Sequence, residues 1–260
     1  MLNYSNKDLV RDLVAIAENK DSMDGIKKLF EIHKLEFKPI TPTSSLYTQI
    51  YDLVHELSLD GGNTIANILR IRSLEDLFNK GVGVPYMEIV YDVADKIDIL
   101  NSELDKCKNI YEIDKLILMG INKKYFDSLS EKERQEFLNN INDSIDAKDY
   151  SAIKNILLGL APLGLNTVVG AINNRAVQQM LNKSIQYFFN NARSINFAKY
   201  AKYLPKIKNH YAILILIACG ILFTFNISGP AYRKTVPAVI TISQLRFIKA
   251  LNDSKEEGGF

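Results

Sequence analysis

An uncharged run of twenty-four residues lies between Lys208 and Arg233 and reads NHYAILILIACGILFTFNISGPAY (209–232). Ten of the fifteen residues in 213–227 are Leu, Ile or Phe. About twenty helical residues span the hydrocarbon core of a bilayer, and these ten side chains contribute on the order of −3 to −6 kcal/mol to insertion. A buried helix of an all-α bundle is also apolar all round, so both interpretations stay open, and we favour membrane contact.

The formal net charge of +2 conceals a strong asymmetry along the 260 residues. Residues 1–149 contain 19 Lys/Arg and 27 Asp/Glu, whereas residues 150–252 contain 12 Lys/Arg and no Asp or Glu. This division predicts an acidic helical domain over 1–149, with a small N-terminal subdomain over about 1–40, and a basic, hydrophobic helical domain over 150–260. A basic half favours an anionic partner, which could be lipid, nucleic acid or the acidic first half itself.

Helical signals dominate the first half of the chain. Pairs with the spacing of a capping box occur at Ser5–Asp8, Ser73–Asp76 and Ser130–Glu133. Apolar residues recur at helical intervals, as in Leu9, Leu13 and Ile16, in Leu46, Ile50, Leu53, Val54 and Leu57, and in Ile89, Val93 and Ile97. No run alternates with period two for long enough to indicate a strand. We therefore predict an all-α protein, with a multi-helix N-terminal half and a helical C-terminal half.

Two further segments of the C-terminal half favour a membrane. Residues 155–174 are uncharged and rich in Gly, a composition typical of membrane helices and of tight helix packing. Residues 175–204 predict a basic amphipathic helix, with Val177, Leu181 and Ile185 on its apolar face. Such a helix is typical of one lying on an anionic membrane. We expect 155–174 and 209–232 to form a membrane hairpin.

Basic and aromatic residues lie at both ends of the uncharged run. Residues of these types anchor membrane helices at the headgroup interface. The predicted membrane-interface residues are Lys206, Lys208, Tyr211, Tyr232, Arg233 and Lys234. Pro230 and Pro237 bracket the last three, and we expect one helix to end there and the next to begin at Val236 or Pro237. A packing corner is an equally open interpretation of the same residues.

A glycine pair marks the first candidate site for a ligand or partner. Gly61 and Gly62 predict a turn with positive φ, and Asn63 would cap a following helix over 64–70. The sharper hypothesis is a ligand site, since Asn63, Asn67 and Arg70 share one helical face. A turn followed by a capped helix, with no ligand, is the more common outcome for such a pattern.

Glu88, Asp92 and Asp95 form a second candidate, because they also stack on one helical face. They could bind a cation, or dock on the basic C-terminal half. A solvated acidic face is the usual outcome for such a pattern.

The sequence contains no recognisable group of catalytic or metal-ligating residues. His33, His55 and His210 have no Cys or carboxylate partner at metal-ligand spacing, and Cys107 and Cys219 have no local base. No metal, cofactor or small-molecule substrate is therefore predicted, and the chain is not expected to be an enzyme. Nucleic acid is disfavoured as a partner, because the basic residues are interleaved with apolar ones rather than clustered with stacking aromatics.

Several blocks occur in a recognisable order: YSNKDL (4–9), GGNTIAN (61–67) with Arg70, GVPYMEI (83–89), DVADK (92–96) and NISGPAYRKTVPAVI (226–240). In order and approximate spacing they resemble the YaaW family of uncharacterised bacterial proteins. Residues 71–80 depart from that pattern as an apparent insertion. The family is grouped loosely with ubiquinol–cytochrome c chaperones, and the resemblance implies a role in assembling a membrane complex without bringing any catalytic residue.

These patterns lead us to expect a membrane-associated, non-enzymatic helical protein. Charges throughout the first thirty residues leave no room for the apolar region of a signal peptide, so we expect a cytoplasmic protein bound to or inserted in the inner membrane. In one version it is a regulated effector of the pore, toxin or defence type, whose basic half is held by the acidic half. The alternative is a soluble or peripheral protein-binding module or assembly chaperone, with a protein partner or self-association.

Overall fold

The computed structural model of the chain describes residues 2–19, 22–41, 45–62, 83–191 and 232–257. Every regular element in these ranges is a helix, and they contain no β-strand. The all-α prediction is therefore confirmed. Asn63, Asn67, Arg70, Lys206, Lys208, Tyr211 and the run 209–231 lie outside the described residues, as does the Ser73–Asp76 pair.

The helices are named here in chain order. They are α1 (Asn6–Ala17), α2 (Met23–Ile32), α3 (Leu46–Gly62), α4 (Tyr86–Lys96), α5 (Asn101–Leu104), α6 (Ile110–Asp127), α7 (Glu131–Asn142), α8 (Ala147–Leu157), α9 (Asn174–Asn191) and α10 (Tyr232–Glu257), with a π-helical turn (Leu165–Val169) between α8 and α9.

Two helices, α6 and α10, lie side by side at the centre of the fold. Helices α1, α2, α3 and α4 pack around α10, whereas α8, α9 and the π-helical turn pack against α6. Buried residues of all these elements belong to one hydrophobic core. The change in charge at residue 150 is therefore not a boundary in packing, because α10 from the basic half packs among the acidic helices. The division into domains at 149/150 stays a prediction.

Both central helices are buried on every side over much of their length. The side chains of residues 113–122 in α6 and 235–247 in α10 are all buried. Since a carboxylate is costly in such surroundings unless it is paired, burial in protein explains why 235–247 contains no Asp or Glu. A membrane is not needed to explain the composition of that segment.

The last helix begins earlier than the prolines suggest. We expected a start at Val236 or Pro237, but Tyr232 is already helical and Pro237 lies inside α10. A proline removes one backbone donor from a helix interior, at a cost of about 3 kcal/mol. Here the long buried face outweighs that cost. The Thr241 hydroxyl donates to the Pro237 carbonyl over 2.7 Å.

Local capping signals at two helix starts are confirmed. Ser5 and Asp8 form a reciprocal capping box at the start of α1. Ser130 and Glu133 do the same at the start of α7. Each box satisfies two backbone donors that the helix itself leaves without a partner.

The first arm of the expected hairpin is not a helix. Helix α8 ends at Leu157, and Gly159 then adopts a φ of +72° in the turn that follows. After the π-helical turn, the chain turns again before α9, and Val168 and Ile172 are buried in the core. A left-handed residue and Pro162 interrupt any helix over 155–174. The expected hairpin is therefore not supported. In the described ranges no helix is both long and apolar enough to span a bilayer.

Helix α9 covers the described part of the predicted amphipathic helix. Val177 and Leu181 are buried, and the helix packs on α6 and α7. The buried Ser184 hydroxyl donates to Asn122 of α6, and the Tyr187 hydroxyl donates to Glu136 of α7 over 3.1 Å. Protein covers the apolar face of α9 at Val177 and Leu181, so these two residues give no support to the expected membrane contact.

Gly61 is helical rather than part of a turn, and its φ is not positive. A Cβ added there would lie 2.5 Å from Ile89 Cγ1 and 2.9 Å from Val84 Cγ2. The expectation that a turn requires this glycine was therefore wrong. A glycine is needed at this position because α3 and the chain at the start of α4 approach each other closely. Ser58 reinforces the approach, because its hydroxyl donates to the Val84 carbonyl over 2.7 Å.

We predict that Gly61→Ala destabilises the protein by about 1–3 kcal/mol, since it overpacks a full interface. At an unhindered helical position the same change would stabilise by about 0.5–1 kcal/mol. Urea unfolding measures the difference. Ile89→Ala removes the side-chain atoms that the new methyl would meet. The double variant should therefore lose less free energy of unfolding than the two single variants lose together. Additive losses would contradict the proposed contact.

Candidate functional site

Two sets of predicted residues meet where α3 and α4 contact the first turn of α10. Of the residues predicted to bind a ligand or partner, Gly61 and Gly62 end α3, while Glu88, Asp92 and Asp95 lie along α4. From the membrane-interface set, Tyr232, Arg233 and Lys234 form the described start of α10. The sequence had offered docking on the basic half as one interpretation of the acidic face, and the structure places α4 in contact with α10.

Lys234 is an ion-pair partner of Asp60. Its ammonium lies 2.8 and 2.9 Å from the two carboxylate oxygens of Asp60, in the last turn of α3. Burial raises the pKa of Asp60, but hydrogen bonds from His33 and Lys234 outweigh that effect and hold the pKa below its ordinary value. Lys234 was predicted to face headgroups, and in the structure its charge is directed to protein.

His33 completes this arrangement from the end of α2. Its Nδ1 lies 2.7 Å from Asp60 Oδ2, and its ring is almost wholly buried. Its Nε2 is buried with no hydrogen-bond partner. No carboxylate lies at metal-ligand spacing from His33 along the chain, because Asp60 is 27 residues away. Throughout the described ranges, no three or more His, Cys, Asp or Glu side chains are grouped so as to hold a metal ion.

Tyr232 packs against the acidic face of α4. The ammonium of Lys96 lies 5.0 Å from the centroid of its ring, within the range of a cation–π contact. Burial raises the pKa of Tyr232, and the charges of Asp92 and Asp95 raise it further. We call Asp60, Asp92, Asp95, Lys96, Tyr232 and Lys234 the junction cluster. It fixes the first turn of α10, directly after the run 209–231, to the acidic helices.

A buried arginine at the centre of the fold is the strongest polar feature that sequence reasoning missed. The side chains of Arg246 in α10 and Asp114 in α6 are only 2% and 1% exposed. They form a bidentate pair, with Nε to Oδ2 at 2.8 Å and Nη2 to Oδ1 at 2.7 Å. Arg246 also donates to the hydroxyls of Tyr4 (3.0 Å) and Tyr86 (3.3 Å). The pair thereby joins α10 to α6, α4 and the chain before α1.

Burial and pairing oppose each other in this network. Burial disfavours the charged form of Arg246, but the Asp114 carboxylate outweighs it and raises the pKa of Arg246 well above its ordinary value. Burial raises the pKa of Asp114, and the guanidinium opposes that rise. Burial also raises the pKa of Tyr4, and it raises that of Tyr86 to about 12, so both tyrosines stay neutral and accept from Arg246. One signal was present in the sequence: Arg246 is the single charge in residues 235–248.

A second buried cation joins α6 to the π-helical turn. Lys115 donates to the carbonyl of Ile172 and to that of Val169 (3.4 Å). Burial lowers the pKa of Lys115 to about 8, although nearby Asp149 acts in the opposite direction. Asp149 itself accepts from the backbone N–H of Asn173 over 2.9 Å. These two side chains hold the segment between α8 and α9 in place.

The fold and these clusters define a helical bundle with one hydrophobic core and a buried Arg246–Asp114 ion pair at its centre. No protein-family model and no solved structure matches the chain. It is similar to two proteins of Helicobacter pylori strain J99, each named "UPF0174 protein". One is 23% identical over 200 residues, which cover 75% of this chain and 69% of the relative. The other is 26% identical over 195 residues, which cover 75% and 86%.

A third protein of that name, from strain 26695, is 24% identical over 198 residues, covering 75% of this chain and 86% of its own. These similarities support a relationship to an uncharacterised family of bacterial proteins. The YaaW resemblance and the chaperone grouping that it implies stay predictions.

Arg246→Met should lower the free energy of unfolding by about 3–5 kcal/mol, because it leaves the Asp114 carboxylate buried without a counter-charge. Adding Asp114→Leu removes that charge as well, so the double variant should be more stable than Arg246→Met alone. Chemical denaturation of the wild type, both single variants and the double variant gives the coupling energy. Losses that simply add would contradict the pairing.

Lys234→Met should cost about 1–2 kcal/mol at pH 7, where Asp60 is ionised and accepts two hydrogen bonds from Lys234. Because the pKa of Asp60 is lowered in the fold, its contribution is present above about pH 4 and is lost as the pH falls through the folded-state pKa. The difference between wild type and variant should therefore shrink below about pH 4.

Lys132→Met is the matched control for this measurement. Lys132 is exposed and lies 3.8 Å from Glu136 one helical turn away, so its removal should cost no more than about 0.5 kcal/mol. Equal losses for the two variants at pH 7 would show that the junction ion pair is no stronger than a surface pair.

Proposed function

We propose that this protein acts at a membrane, with the helical bundle as a folded base and residues 209–231 as the segment that enters the lipid. The uncharged run carries this proposal. The 23 residues from 209 to 231 are enough for a 30 Å hydrocarbon core, since a helix rises 1.5 Å per residue. The net insertion energy is favourable but modest, because Gly220, Thr224 and Asn226 subtract from the contribution of the apolar side chains.

The way the bundle fixes the end of this run supports the proposal. Helix α9 is described as far as Asn191, and the next described residue is Tyr232. Tyr232 and Lys234 are held by the junction cluster, while residues 235–247 of α10 are buried in the core. A segment inserted in lipid would thus be tied directly to the acidic helices, and a force on one would reach the other. Residues 235–247 give no support of their own, since protein burial explains their composition.

A regulated effector is the more specific form of this proposal. It requires that the acidic half restrain the basic half, and the junction cluster offers a concrete contact for such restraint. Asp60, Asp92 and Asp95 lie beside the first turn of α10. Weakening these contacts would free the start of that helix.

A protein-binding module is the second candidate, and an exposed surface on α3 favours it. Tyr47 and Tyr51 are one helical turn apart and both are exposed. Gln49 holds the preceding segment against α3, since its side chain donates to the Lys38 carbonyl and accepts from the Lys38 N–H. Exposed tyrosines are enriched at protein interfaces. This candidate predicts a stable partner complex that needs no lipid.

Membrane fractionation separates the two candidates. We expect full-length protein expressed in bacterial cells to stay in the pellet after an alkaline carbonate wash. Ile215→Arg with Leu222→Arg should move it to the supernatant, because two arginines at the centre of the run cost roughly 5–7 kcal/mol, more than the apolar residues contribute. Tyr47→Arg with Tyr51→Arg adds the same charge outside the run and should stay in the pellet. Wild-type protein in the supernatant would contradict the membrane proposal and favour the protein-binding module.

A further inference from the structure

The turn after α8 exposes two leucines on a fixed backbone. The side chains of Leu158 and Leu160 are 43% and 75% exposed, although both belong to the uncharged segment 155–174. Gly159 lies between them with a φ of +72°. We call residues 158–164 the leucine loop.

Hydrogen bonds show that this loop is an ordered motif. The N–H of Leu160 donates to Asn155 O over 2.8 Å, and the N–H of Gly159 donates to Ile156 O over 3.0 Å. These two bonds, with the left-handed glycine, define a Schellman motif. In that motif the residue after the glycine usually packs back onto the helix. Leu160 occupies this position and is exposed instead, so the motif presents an apolar side chain outward.

Most backbone N–H groups in and next to the loop are paired. Five N–H groups in and next to it donate hydrogen bonds, namely those of Gly159, Leu160, Ala161, Gly164 and Leu165. The Thr167 hydroxyl donates to the Pro162 carbonyl. Backbone groups that are already paired cost little to remove from water. The loop would therefore bring few unpaired N–H groups into a headgroup region.

Charge around the loop favours an anionic surface. Glu103 is the carboxylate that contacts it, and its oxygens bind the Leu165 N–H (2.8 Å) and the Lys106 ammonium. Both bonds hold the pKa of Glu103 below its ordinary value. Lys154 precedes Asn155 on α8, and Lys106 is exposed. Exposed leucines near Lys154, with Glu103 neutralised by Lys106, fit the interface of an anionic bilayer.

We propose that the leucine loop inserts Leu158 and Leu160 into the headgroup region of an anionic membrane. This inference rests on the proposed membrane function. It adds a second membrane contact, independent of the one that residues 209–231 would make. The loop would act as a shallow anchor at the surface. It would orient the bundle, with α8 directed toward the lipid.

The chain contains no tryptophan, so Leu160→Trp creates a unique fluorescent probe in full-length protein. With phosphatidylglycerol vesicles we expect its emission to shift to shorter wavelength and to be quenched by brominated acyl chains. Phosphatidylcholine vesicles should have a much smaller effect. Ile40→Trp is the matched control: Ile40 is 58% exposed in the segment between α2 and α3, and its probe should not respond.

A second variant tests the energy of the contact. Leu158→Ser with Leu160→Ser should lower the partition coefficient on phosphatidylglycerol vesicles at least about tenfold, because two leucines no longer leave water. Both side chains are largely exposed, so the helical circular dichroism of the variant should be unchanged.

The outcomes separate this inference from the proposed function. If the protein sediments with vesicles but the tryptophan at 160 does not respond, the leucine loop is not an anchor, while the membrane function stands. If the protein does not sediment with either lipid, both proposals fail. A spectral shift that depends on protein concentration and needs no vesicles would mean that a second copy of the chain covers the loop, which also overturns the inference.

Discussion

The buried pair of Arg246 and Asp114 is the interaction on which the rest of the fold depends. A guanidinium and a carboxylate removed from water are stable only when both are paired, and this requirement fixes α10 against α6 in one register. Tyr4 and Tyr86 occupy two further donor positions of the guanidinium. Because apolar contacts alone tolerate small slips of one helix along another, the pair supplies a specificity that the surrounding leucines and isoleucines do not.

This constraint changes the meaning of the charge asymmetry. A chain with an acidic first half and an acid-free second half suggests two separable parts, yet α10 lies among α1, α2, α3 and α4. The acidic helices thus enclose the last helix of the basic half, and the junction cluster pairs surface charges at its start. Any movement of 209–231 is mechanically linked to the core through Tyr232. Membrane contact, in our proposal, is made from a bundle that stays folded.

Local features of this fold were predictable from the sequence, and long-range features were not. The capping boxes at Ser5 and Ser130 are set by residues three apart, so spacing alone identifies them. The position of α10 was missed because its packing against α1, α2, α3, α4 and α6 is a set of long-range contacts that leaves no local pattern in the sequence. Arg246 and Asp114 are 132 residues apart, and no local pattern joins them. Gly61 was assigned to a turn because the nearness of Ile89 is a property of packing.

Native-state hydrogen exchange of the full chain tests the central claim most directly, that α10 belongs to the same cooperative unit as the acidic helices. If that claim is correct, the slowest amides of α10 and of α6 exchange only through global unfolding, and both lose protection with the same dependence on denaturant. Protection of α10 that disappears in a separate opening of lower free energy, while α6 stays protected, would contradict it. The basic half would then be a separable domain.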